Sequence, residues 1–520
     1  MPTLHCNLSA LADQGLLPWL TRIRRGIEKE SLRVDRHGRL SAKPHPSALG
    51  SALTHPSITT DFSESLLEFI TAPHDTPEAA LAELADIHRF ACRNIGDELL
   101  WNNSMPCPLG PDADIPIAQY GSSNIATMKT VYRRGLANRY GKRMQTIAGI
   151  HYNFSMPEAF WPWYARHCNP RSSWQALRDN GYLGLIRNFR RYSWLLLYLF
   201  GASPAVCNSF LGGKAHRLEP LGDLGLCAPW GTSLRMGDLG YQSSAQESLT
   251  INYNDLRSYI HSLRTALATH HPAYTNIGIK VDGEYRQLRD TVLQIENEFY
   301  SSIRPKRISQ REQTPTAALE QSGIEYIEVR CMDINPFLPL GIDAQTARFL
   351  DIFLLGCLFW DSPLSDTREL ERIRENTRRT VYNGRHPHAL LLNDHGTRPL
   401  REWGHELLAS LAPIADLLDN AYGGRHYHDS LIAQTNKLLD DRQTPSAQVL
   451  SSLRTRQCTY FDFAMELSLA HSHAFRSAAL PNAVVTRFKQ QTAQSLAAQR
   501  AIEQADTESF DDFLVRYFQQ

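Results

Sequence analysis

The sequence predicts an α+β fold with a helical final third. Up to about residue 340, short segments that alternate apolar and polar residues are interspersed with helical segments and with turn clusters such as DRHG and VDGE. After NPFLPLG, residues 335–341, the pattern becomes almost wholly helical. We therefore expect residues 1–340 to form an α+β body and residues 341–520 to form a mostly helical part that packs on it.

Length and composition favour a large cytoplasmic protein. The 520 residues include 54 Lys and Arg and 54 Asp and Glu, so charge does not favour nucleic acid or a membrane surface as a partner. The nine cysteines are scattered and never form a C-x-x-C pair, which favours free thiols in a reducing compartment. The N-terminus lacks a signal-peptide pattern, and the longest apolar runs are too short to span a membrane.

The first predicted strand is GIEKESLRV, residues 26–34. Side chains alternate along a strand, so Glu28 and Glu30 share one face while Ile27 and Lys29 take the other. On its own this pattern also fits the solvated face of an antiparallel sheet.

Later segments repeat the pattern, with polar side chains on faces whose backs are predicted to be apolar. These residues are Glu68 in LLEFIT with Asp61 just before that segment, His151 and Asn153 in IHYNFS, Gln294, Glu296, Glu298 and Tyr300 in TVLQIENEFY, and Tyr326, Glu328 and Arg330 in SGIEYIEVR. If the strands form one sheet curved around a cavity, the carboxylates meet there. Clustered carboxylates need cations to stay ionised, and oxygen ligands without sulfur select Mg2+, with Mn2+ as the alternative.

Basic and aromatic residues could flank this acidic cluster. In TMKTVYRRGLANRYG, residues 127–141, helical spacing puts Tyr132, Arg133 and Leu136 near one face. The glycine-punctuated loop GTSLRMGDLGY, residues 231–241, carries Arg235 and Tyr241. An arginine suits a substrate carboxylate or a phosphoryl group, although any single arginine also fits a surface ion pair.

The remaining elements are predicted to be helices. The apolar runs YSWLLLYLFGA and FLLGCLFW predict buried core helices, and helical periodicity continues in TRELERIRENTRRTV, in REWGHELLASLAPIADLLDNA and in a tail from about Asn482. The chain has neither G-x-x-x-x-G-K-[ST] nor G-x-G-x-x-G, so P-loop and Rossmann nucleotide sites lose their main support.

Nine segments, in order along the chain, resemble motifs of the gammaproteobacterial glutamate–cysteine ligases, also called γ-glutamylcysteine synthetases. They are RGIEKESLRV, ALGSALTHPSITTDFSESLLEFIT, AQYGSSN, VYRRGLANRYG, MQTIAGIHYNFS, YLFGASPAVCNSFL, TSLRMGDLGY, LQIENEFYSSIRPKR and GIEYIEVRCMDINP. The resemblance covers roughly residues 20–345, so the part after 345 is inferred mainly from its position.

The resemblance implies a glutamine-synthetase-like fold, in which a curved, mainly antiparallel sheet forms a funnel-shaped active site with helices outside. It also implies a monomer that uses Mg2+, ATP, L-glutamate and L-cysteine to make γ-glutamylcysteine, ADP and phosphate through a γ-glutamyl phosphate. This reaction is the first step of glutathione biosynthesis, and feedback inhibition by glutathione is a further expectation. Residues 1–340 would then be the catalytic ligase body.

Site residues follow from the same resemblance. The implied metal ligands are Glu28, Glu30, Asp61, Glu68, His151 and Glu328. Arg330, with Glu328, would act in catalysis by stabilising the phosphoryl group or by binding the glutamate carboxylate. The implied cysteine pocket consists of Tyr132, Leu136, Arg235, Tyr241 and Tyr300.

Three alternatives stay open at the level of sequence. The ligase could use another amine acceptor, which would change the product but not the phosphoryl chemistry. Clustered acidic residues also hold the metals of phosphohydrolases, which need neither glutamate nor an amine. A regulatory paralogue could bind glutathione-like ligands, but a binding module has no need of so costly a charge cluster.

Overall fold

The computed structural model describes residues 8–13, 15–168, 173–213, 215–222, 225–240, 246 and 249–520. The helices are α1 Leu8–Asp13, α2 Leu17–Leu20, α3 Pro77–Asn94, α4 Asn124–Tyr140, α5 Phe160–Cys168, α6 Trp174–Phe200, α7 Asn208–Leu211, α8 Leu256–Ala268, α9 Pro272–Ile277, α10 Pro315–Ser322, α11 Ala344–Phe359, α12 Thr367–Asn383, α13 Leu400–Ser410, α14 Ala412–Tyr422, α15 His426–Leu439, α16 Pro445–Arg456, α17 Tyr460–Ser477, α18 Asn482–Ala505 and α19 Phe510–Phe518.

The strands are β1 Arg24–Val34, β2 Ile58–Thr60, β3 Leu66–Ile70, β4 Leu99–Trp101, β5 Ile150–Ser155, β6 Ala205–Cys207, β7 Glu219–Leu221, β8 Gly225–Cys227, β9 Lys280–Val281, β10 Glu284–Tyr285, β11 Ile303–Lys306, β12 Tyr326–Met332, β13 Leu390–Asn393 and β14 Gly396–Pro399. Seven of them form the main sheet in the order β11-β12-β5-β1-β3-β2, with β4 beside β1. Every pair in this sheet is antiparallel, so the predicted α+β class with an antiparallel sheet is confirmed.

The register of the main sheet brings polar side chains together on one face. Glu28 lies opposite His151 on β5, and Glu30 lies opposite Glu68 on β3. On the far side of β5, Glu328 of β12 lies opposite Asn153. Residues that are directly opposite in an antiparallel pair point to the same face, so these side chains converge on one side of the sheet.

The other face of the sheet packs against helices. Tyr152, Phe154 and Val329 are fully buried there, in the same apolar cluster as the apolar residues of α6 and α11. Asp343 begins α11 by accepting a hydrogen bond from the backbone N–H of Thr346 at 2.8 Å, which satisfies one free donor of the first turn. The apolar cluster behind the sheet includes residues from Leu11 to Phe488. Residues on both sides of the predicted boundary at residue 340 therefore belong to one core. The division of the chain into two parts stays a prediction.

One local prediction was wrong. Residues 291–300 do not form a strand, because the chain turns in a 3₁₀ helix at Glu296–Glu298, where the carboxylate of Glu298 accepts a hydrogen bond from the N–H of Gln294 at 2.7 Å. The segment REWGHELLASLAPIADLLDNA forms two helices that meet at Leu411, because Pro413 opens the second one and has no N–H for the first. The helical third also contains the β13-β14 hairpin.

The back of β1 is basic, because Arg25 and Arg33 lie there together with Lys29, which alternation had already placed on that face. Arg25, Lys29 and Arg33 are all buried on that face. Lys29 Nζ lies 2.9 Å from Asn102 Oδ1 and 3.1 Å from His88 Nε2, and burial lowers its pKa to about 7.

Arg25 is held by a buried ion pair. Its Nε lies 2.8 Å from Asp351 Oδ2, both side chains are fully buried, and Tyr152 donates to Asp351 Oδ1 at 2.9 Å. The pair joins β1 to α11, while the hydroxyl of Tyr422 on α14 lies 3.1 Å from Arg25 Nη2.

Within the described ranges, no helix combines the length and apolar character that crossing a membrane would require.

We expect Asp351→Asn to lower the free energy of unfolding by about 3 to 5 kcal/mol, because it leaves the buried Arg25 charge without a counter-charge. Urea unfolding followed by circular dichroism measures the change. The matched control is Asp75→Asn in the neighbouring Arg24–Asp75 pair, whose side chains are 51% and 53% exposed. That variant should lose less than about 1 kcal/mol, and equal losses in both would contradict the prediction.

Candidate functional site

The polar face of the main sheet holds a cluster suited to a metal ion. Glu28, Glu68 and His151 offer ligand atoms that all lie within 4.8 Å of one another. Glu328 joins them from β12, with Oε1 at 3.6 Å from His151 Nδ1. The residues come from β1, β3, β5 and β12, so the sheet register alone assembles the cluster.

Hydrogen bonds orient the ligand atoms of this cluster. Asn153 donates to Glu28 Oε1 at 2.7 Å, and His151 Nδ1 lies 2.9 Å from Glu28 Oε2. A proton on Nδ1 that is shared with Glu28 leaves Nε2 with the lone pair that a metal ligand needs. The second oxygen of Glu328 is buried and has no hydrogen-bond partner, although Lys306 Nζ lies 3.6 Å away.

Electrostatics separate the carboxylates into two groups. Burial and the neighbouring acids Glu28, Asp61 and Glu30 raise the pKa of Glu68 well above its usual range, and burial together with Asp61 raises the pKa of Glu30 to about 8. Burial also acts to raise the pKa of Glu328, but Lys306, Arg330 and His151 outweigh it and hold that pKa well below its usual range.

Such a set of oxygen and imidazole donors fits a divalent cation. Carboxylates held this close repel one another when ionised, and a bound cation removes that repulsion. The donors are hard oxygens and one imidazole, and sulfur is absent from the cluster that the structure describes, which disfavours soft metals.

The other two predicted metal ligands lie at the edge of this cluster. Glu30 is buried, and its Oε2 accepts a hydrogen bond from the backbone N–H of Gly149 at 2.6 Å. Asp61 follows β2 with a side chain that is 42% exposed, and its Oδ1 lies 3.8 Å from Arg133 Nη2. Its backbone carbonyl is fixed by Arg133 Nε and by the hydroxyl of Tyr120. Neither residue belongs to the compact group of Glu28, Glu68 and His151.

Arg330 connects the cluster to a neighbouring cavity. Its Nη1 lies 3.1 Å from Glu328 Oε1, and its carbonyl accepts a hydrogen bond from Arg235 Nη2 at 2.8 Å. Arg235, Tyr300 and Arg330 line one cavity of 610 Å³. The hydroxyl of Tyr300 accepts a hydrogen bond from Gln145 Nε2 at 2.8 Å.

Gly149 lies between the acidic cluster and the cavity that Arg235 lines. A Cβ at this position would lie 2.0 Å from Arg235 Nη2, so only glycine allows the guanidinium to approach the backbone here. The N–H of the same residue donates to Glu30. One backbone unit therefore touches the acidic cluster on one side and the arginine of the cavity on the other.

The helix α4 carries the remaining described residues of the predicted cysteine pocket, Tyr132 and Leu136. Both are at least partly buried, and neither is among the residues that line the 610 Å³ cavity. Tyr241 lies outside the described residues. Sequence reasoning missed Lys306 and Gln145, which contact Glu328 and Tyr300; alternation in the strand IRPK was the available signal for Lys306, but Pro305 obscured it.

The predicted partners Glu296 and Glu298 do not reach the cluster. Glu298 Oε1 forms a fully buried ion pair with Arg139 Nη1 at 2.9 Å and accepts a hydrogen bond from Tyr140 at 2.7 Å. Glu296 Oε1 accepts from the hydroxyl of Thr316 at 2.6 Å. Both carboxylates therefore fix the packing of α4 and α10 and are not available to a metal.

Comparisons with known proteins agree on one family. Residues 8–380 match the family model described as glutamate-cysteine ligase. The glutamate–cysteine ligase of Alcanivorax borkumensis is 49% identical over 523 residues, covering 100% of both chains, and that of Azotobacter vinelandii is 51% identical over 515 residues, covering 98% of this chain and 97% of its own.

Solved structures give the same result. The crystal structure of glutamate–cysteine ligase from Francisella tularensis in complex with AMP is similar with a TM-score of 0.90 and 39% identity, covering 96% of this chain and 98% of that one. A bifunctional glutathione synthetase from Pasteurella multocida has a TM-score of 0.73 at 24% identity, covering 94% of this chain and 58% of that one, which shows a shared fold alone.

We expect a divalent cation such as Mn2+ to raise the thermal midpoint of the protein, because binding to the folded state alone adds about 2.7 kcal/mol at a hundredfold excess over the dissociation constant. Glu68→Gln should remove most of this rise in a thermal melt. Glu83→Gln is the matched control, since Glu83 Oε2 also contacts a histidine, His74 Nε2 at 2.6 Å, but outside the cluster. A rise that survives in Glu68→Gln would mean that the cation binds elsewhere.

Proposed function

Since the chain belongs to the glutamate–cysteine ligase family, we propose that it joins the γ-carboxylate of L-glutamate to the amine of L-cysteine with the use of ATP. The products are γ-glutamylcysteine, ADP and phosphate, and the reaction begins glutathione biosynthesis. The observation that carries the proposal is the meeting of Glu28, Glu68, His151 and Glu328 beside Arg330 on one sheet face.

The first half-reaction is a phosphoryl transfer. The γ-carboxylate of glutamate attacks the γ-phosphorus of ATP, ADP leaves, and a γ-glutamyl phosphate remains. Bound Mg2+, with Mn2+ as the alternative, neutralises the charge between the glutamate carboxylate and the triphosphate, which would otherwise repel each other. In this proposal Glu28, Glu68, His151 and Glu328 hold the metal ions, and Glu30 and Asp61 complete the set.

Arg330 stabilises the transferring phosphoryl group or binds the glutamate carboxylate. Its guanidinium stays charged at any physiological pH and presents paired donors that match the oxygens of either group. The ion pair with Glu328 Oε1 and the backbone hydrogen bond from Arg330 N to Ser302 O at 2.8 Å fix where this charge lies. Charge fixed in advance stabilises a transition state without reorganisation during the reaction.

The second half-reaction joins the amine to the activated carboxyl group. The cysteine amine attacks the acyl carbon and phosphate leaves. In this proposal the buried Arg235 binds the α-carboxylate of cysteine, while Tyr132, Leu136, Tyr241 and Tyr300 form a small, partly apolar slot for the thiol. Because Arg235 donates to the carbonyl of Arg330, the acceptor is bound next to the group that handles the phosphoryl transfer.

The cellular setting is proposed from the same family membership. The protein acts as a monomer in the cytoplasm, on small-molecule substrates, and glutathione inhibits it by overlapping the glutamate site. A reducing cytoplasm also suits a substrate thiol, which must stay reduced to be used.

The reaction is tested by ADP release with Mg2+, ATP and glutamate while the amine is varied. We expect cysteine and 2-aminobutyrate to support turnover, because both carry the α-carboxylate for Arg235 and a side chain of similar size for the slot. Glycine fills no slot and ammonia has neither feature, so each should be at least about tenfold poorer in kcat/KM. ADP release that needs no amine indicates a phosphohydrolase, and equal turnover with ammonia excludes cysteine specificity.

We expect Glu328→Gln to lower kcat by about a hundredfold to a thousandfold, since it removes a buried charge from the reacting centre. The thermal midpoint should change less than in Asp351→Asn, because Arg330 and Lys306, the cations that pair with Glu328, have side chains that are 22% and 29% exposed and stay partly solvated. Glu325→Gln is the matched control, three residues away and outside the cluster. Near-normal activity of Glu328→Gln, measured as γ-glutamylcysteine formed, would remove this residue from the metal site.

A further inference from the structure

The last part of the chain contacts the helix that carries two residues of the proposed cysteine pocket. We call residues 482–520, which comprise α18, α19 and the residues around them, the C-terminal brace. These residues lie beyond residue 380, where the match to the family model ends, and they contribute no residue to the cluster that the structure describes on the sheet.

The brace supplies the cap of α4. The helix begins after Ser123, whose hydroxyl is buried and makes no hydrogen bond. The carboxylate of Asp506 takes over this role: Oδ2 accepts from the backbone N–H of Asn124, and Oδ1 accepts from Asn124 Nδ2 at 2.7 Å. A carboxylate at a helix N-terminus satisfies a free donor and interacts favourably with the helix dipole.

The loop before α4 is shaped to fit the brace. Gly121, within the motif AQYGSSN, has φ of +107°, and a Cβ there would lie 2.3 Å from Gln499 Nε2 and from Glu503 Oε1. Glu503 Oε1 also accepts a hydrogen bond from the N–H of Ser122 at 3.0 Å. Glycine is required both by the backbone conformation and by the close approach of α18.

The outer face of α4 packs against α19. Met128 and Val131 of α4 belong to one buried apolar cluster with Phe513, Leu514 and Tyr517 of α19. The helix α19 is itself anchored at its start, where Asp511 contacts Lys280 and the hydroxyl of Tyr285. The brace therefore fixes α4 at its beginning and along the side away from the sheet.

The other side of α4 packs on the main core, next to Asp61 at the edge of the acidic cluster. Tyr132 packs against both the α19 cluster and the main core, and Leu136 belongs to the main core. Between them, Arg133 holds the backbone carbonyl of Asp61. A shift of the first two turns of α4 would thus move Tyr132 directly, whereas the metal cluster on the sheet has its own supports.

We propose that the C-terminal brace positions the acceptor pocket, with Asp506 as the positioning residue through its cap on α4. The inference rests on the proposed function for the identity of the acceptor. It assigns to the final residues of the chain a share in amine selection and none in metal binding or phosphoryl transfer. Loss of the cap should weaken the binding of the amine far more than the binding of ATP.

The test compares Asp506→Ala with Asp506→Asn in the full chain. The alanine variant should raise KM for 2-aminobutyrate about fivefold to tenfold, where tenfold corresponds to about 1.4 kcal/mol and lies within the range of a lost helix cap. KM for ATP should change by less than about twofold, since Glu28, Glu68, His151 and Glu328 lie on strands of the sheet and not on α4. The asparagine variant should restore most of the acceptor affinity, because its amide oxygen can accept the hydrogen bond from the backbone N–H of Asn124 and asparagine caps helices as well as aspartate does, although the bond from Asn124 Nδ2 is lost.

Asp462→Ala is the matched control. Asp462 closes the capping box of α17 with Thr459, so its loss destabilises another helix of the same part of the chain. We expect a similar fall in thermal midpoint with an unchanged acceptor KM. Phe513→Leu loosens the packing of α19 on α4 by a second route and should raise the acceptor KM even if the alanine variant at 506 does not fold.

Hydrogen exchange of residues 124–132 separates this inference from the proposed function, because it needs no substrate. Faster exchange there in Asp506→Ala than in Asp462→Ala supports the brace even if cysteine proves not to be the acceptor. Unchanged exchange overturns it, as does an equal rise of KM for ATP and for the amine. If the wild type fails to use cysteine or 2-aminobutyrate, only the proposed function fails.

Discussion

A charge inside a protein must have a partner, and β1 carries five charges that are buried or half-buried: Arg25, Glu28, Lys29, Glu30 and Arg33. Alternation sends the two acids to one face and the three cations to the other. Each cation draws in a different element, with Asp351 on α11, His88 on α3, and Glu98 just before β4 at 2.7 Å from Arg33. The packing around this strand is therefore arranged by charge as much as by apolar area.

The charges on the two faces of β1 are paired in different ways. On the back, each of the three cations has a partner from the protein itself: Asp351 for Arg25, Asn102 for Lys29 and Glu98 for Arg33. On the front, Glu328 has Arg330 and Lys306 as counter-charges. Burial and then neighbouring carboxylates raise the pKa values of Glu68 and Glu30, and for Glu30 the two nearby arginines do not outweigh them. Carboxylates that lack enough cationic partners within the protein favour the binding of a cation from outside. The back face of β1, whose charges are paired, holds these carboxylates in place.

Local rules explain what the sequence could predict. Alternation along a strand is a property of neighbouring residues, so the faces of Glu28, Glu68, His151 and Glu328 follow directly from the sequence. The same rule failed at Glu298, because an alternating sequence permits a strand without requiring one. There the carboxylate accepts a hydrogen bond from the N–H of Gln294 and forms an ion pair with Arg139. Family motifs, not periodicity, were needed to select Arg235 and Tyr300.

Contacts between distant parts of the chain could not be predicted. Nothing near Arg25 indicates that its partner is Asp351, and nothing near Asn124 indicates a cap from Asp506, because both pairs are set by how whole elements pack. The burial of the basic back of β1 could not be predicted for the same reason: a buried lysine or arginine is stable only with partners, and those of β1 lie on other elements.

The position of β1 early in the chain determines when its partners are synthesised relative to it. β1 is made early, whereas Glu328, which completes its acidic neighbourhood, and Asp351, which neutralises Arg25, follow roughly 300 residues later. At about 5 to 20 residues per second, a growing chain must wait roughly 15 to 60 seconds for them. During that interval Arg25 lacks its counter-charge, whereas the partners of Lys29 and Arg33, His88 and Glu98, are made soon after β1. The main sheet is complete only when β12 has been made, although β1 is its first strand.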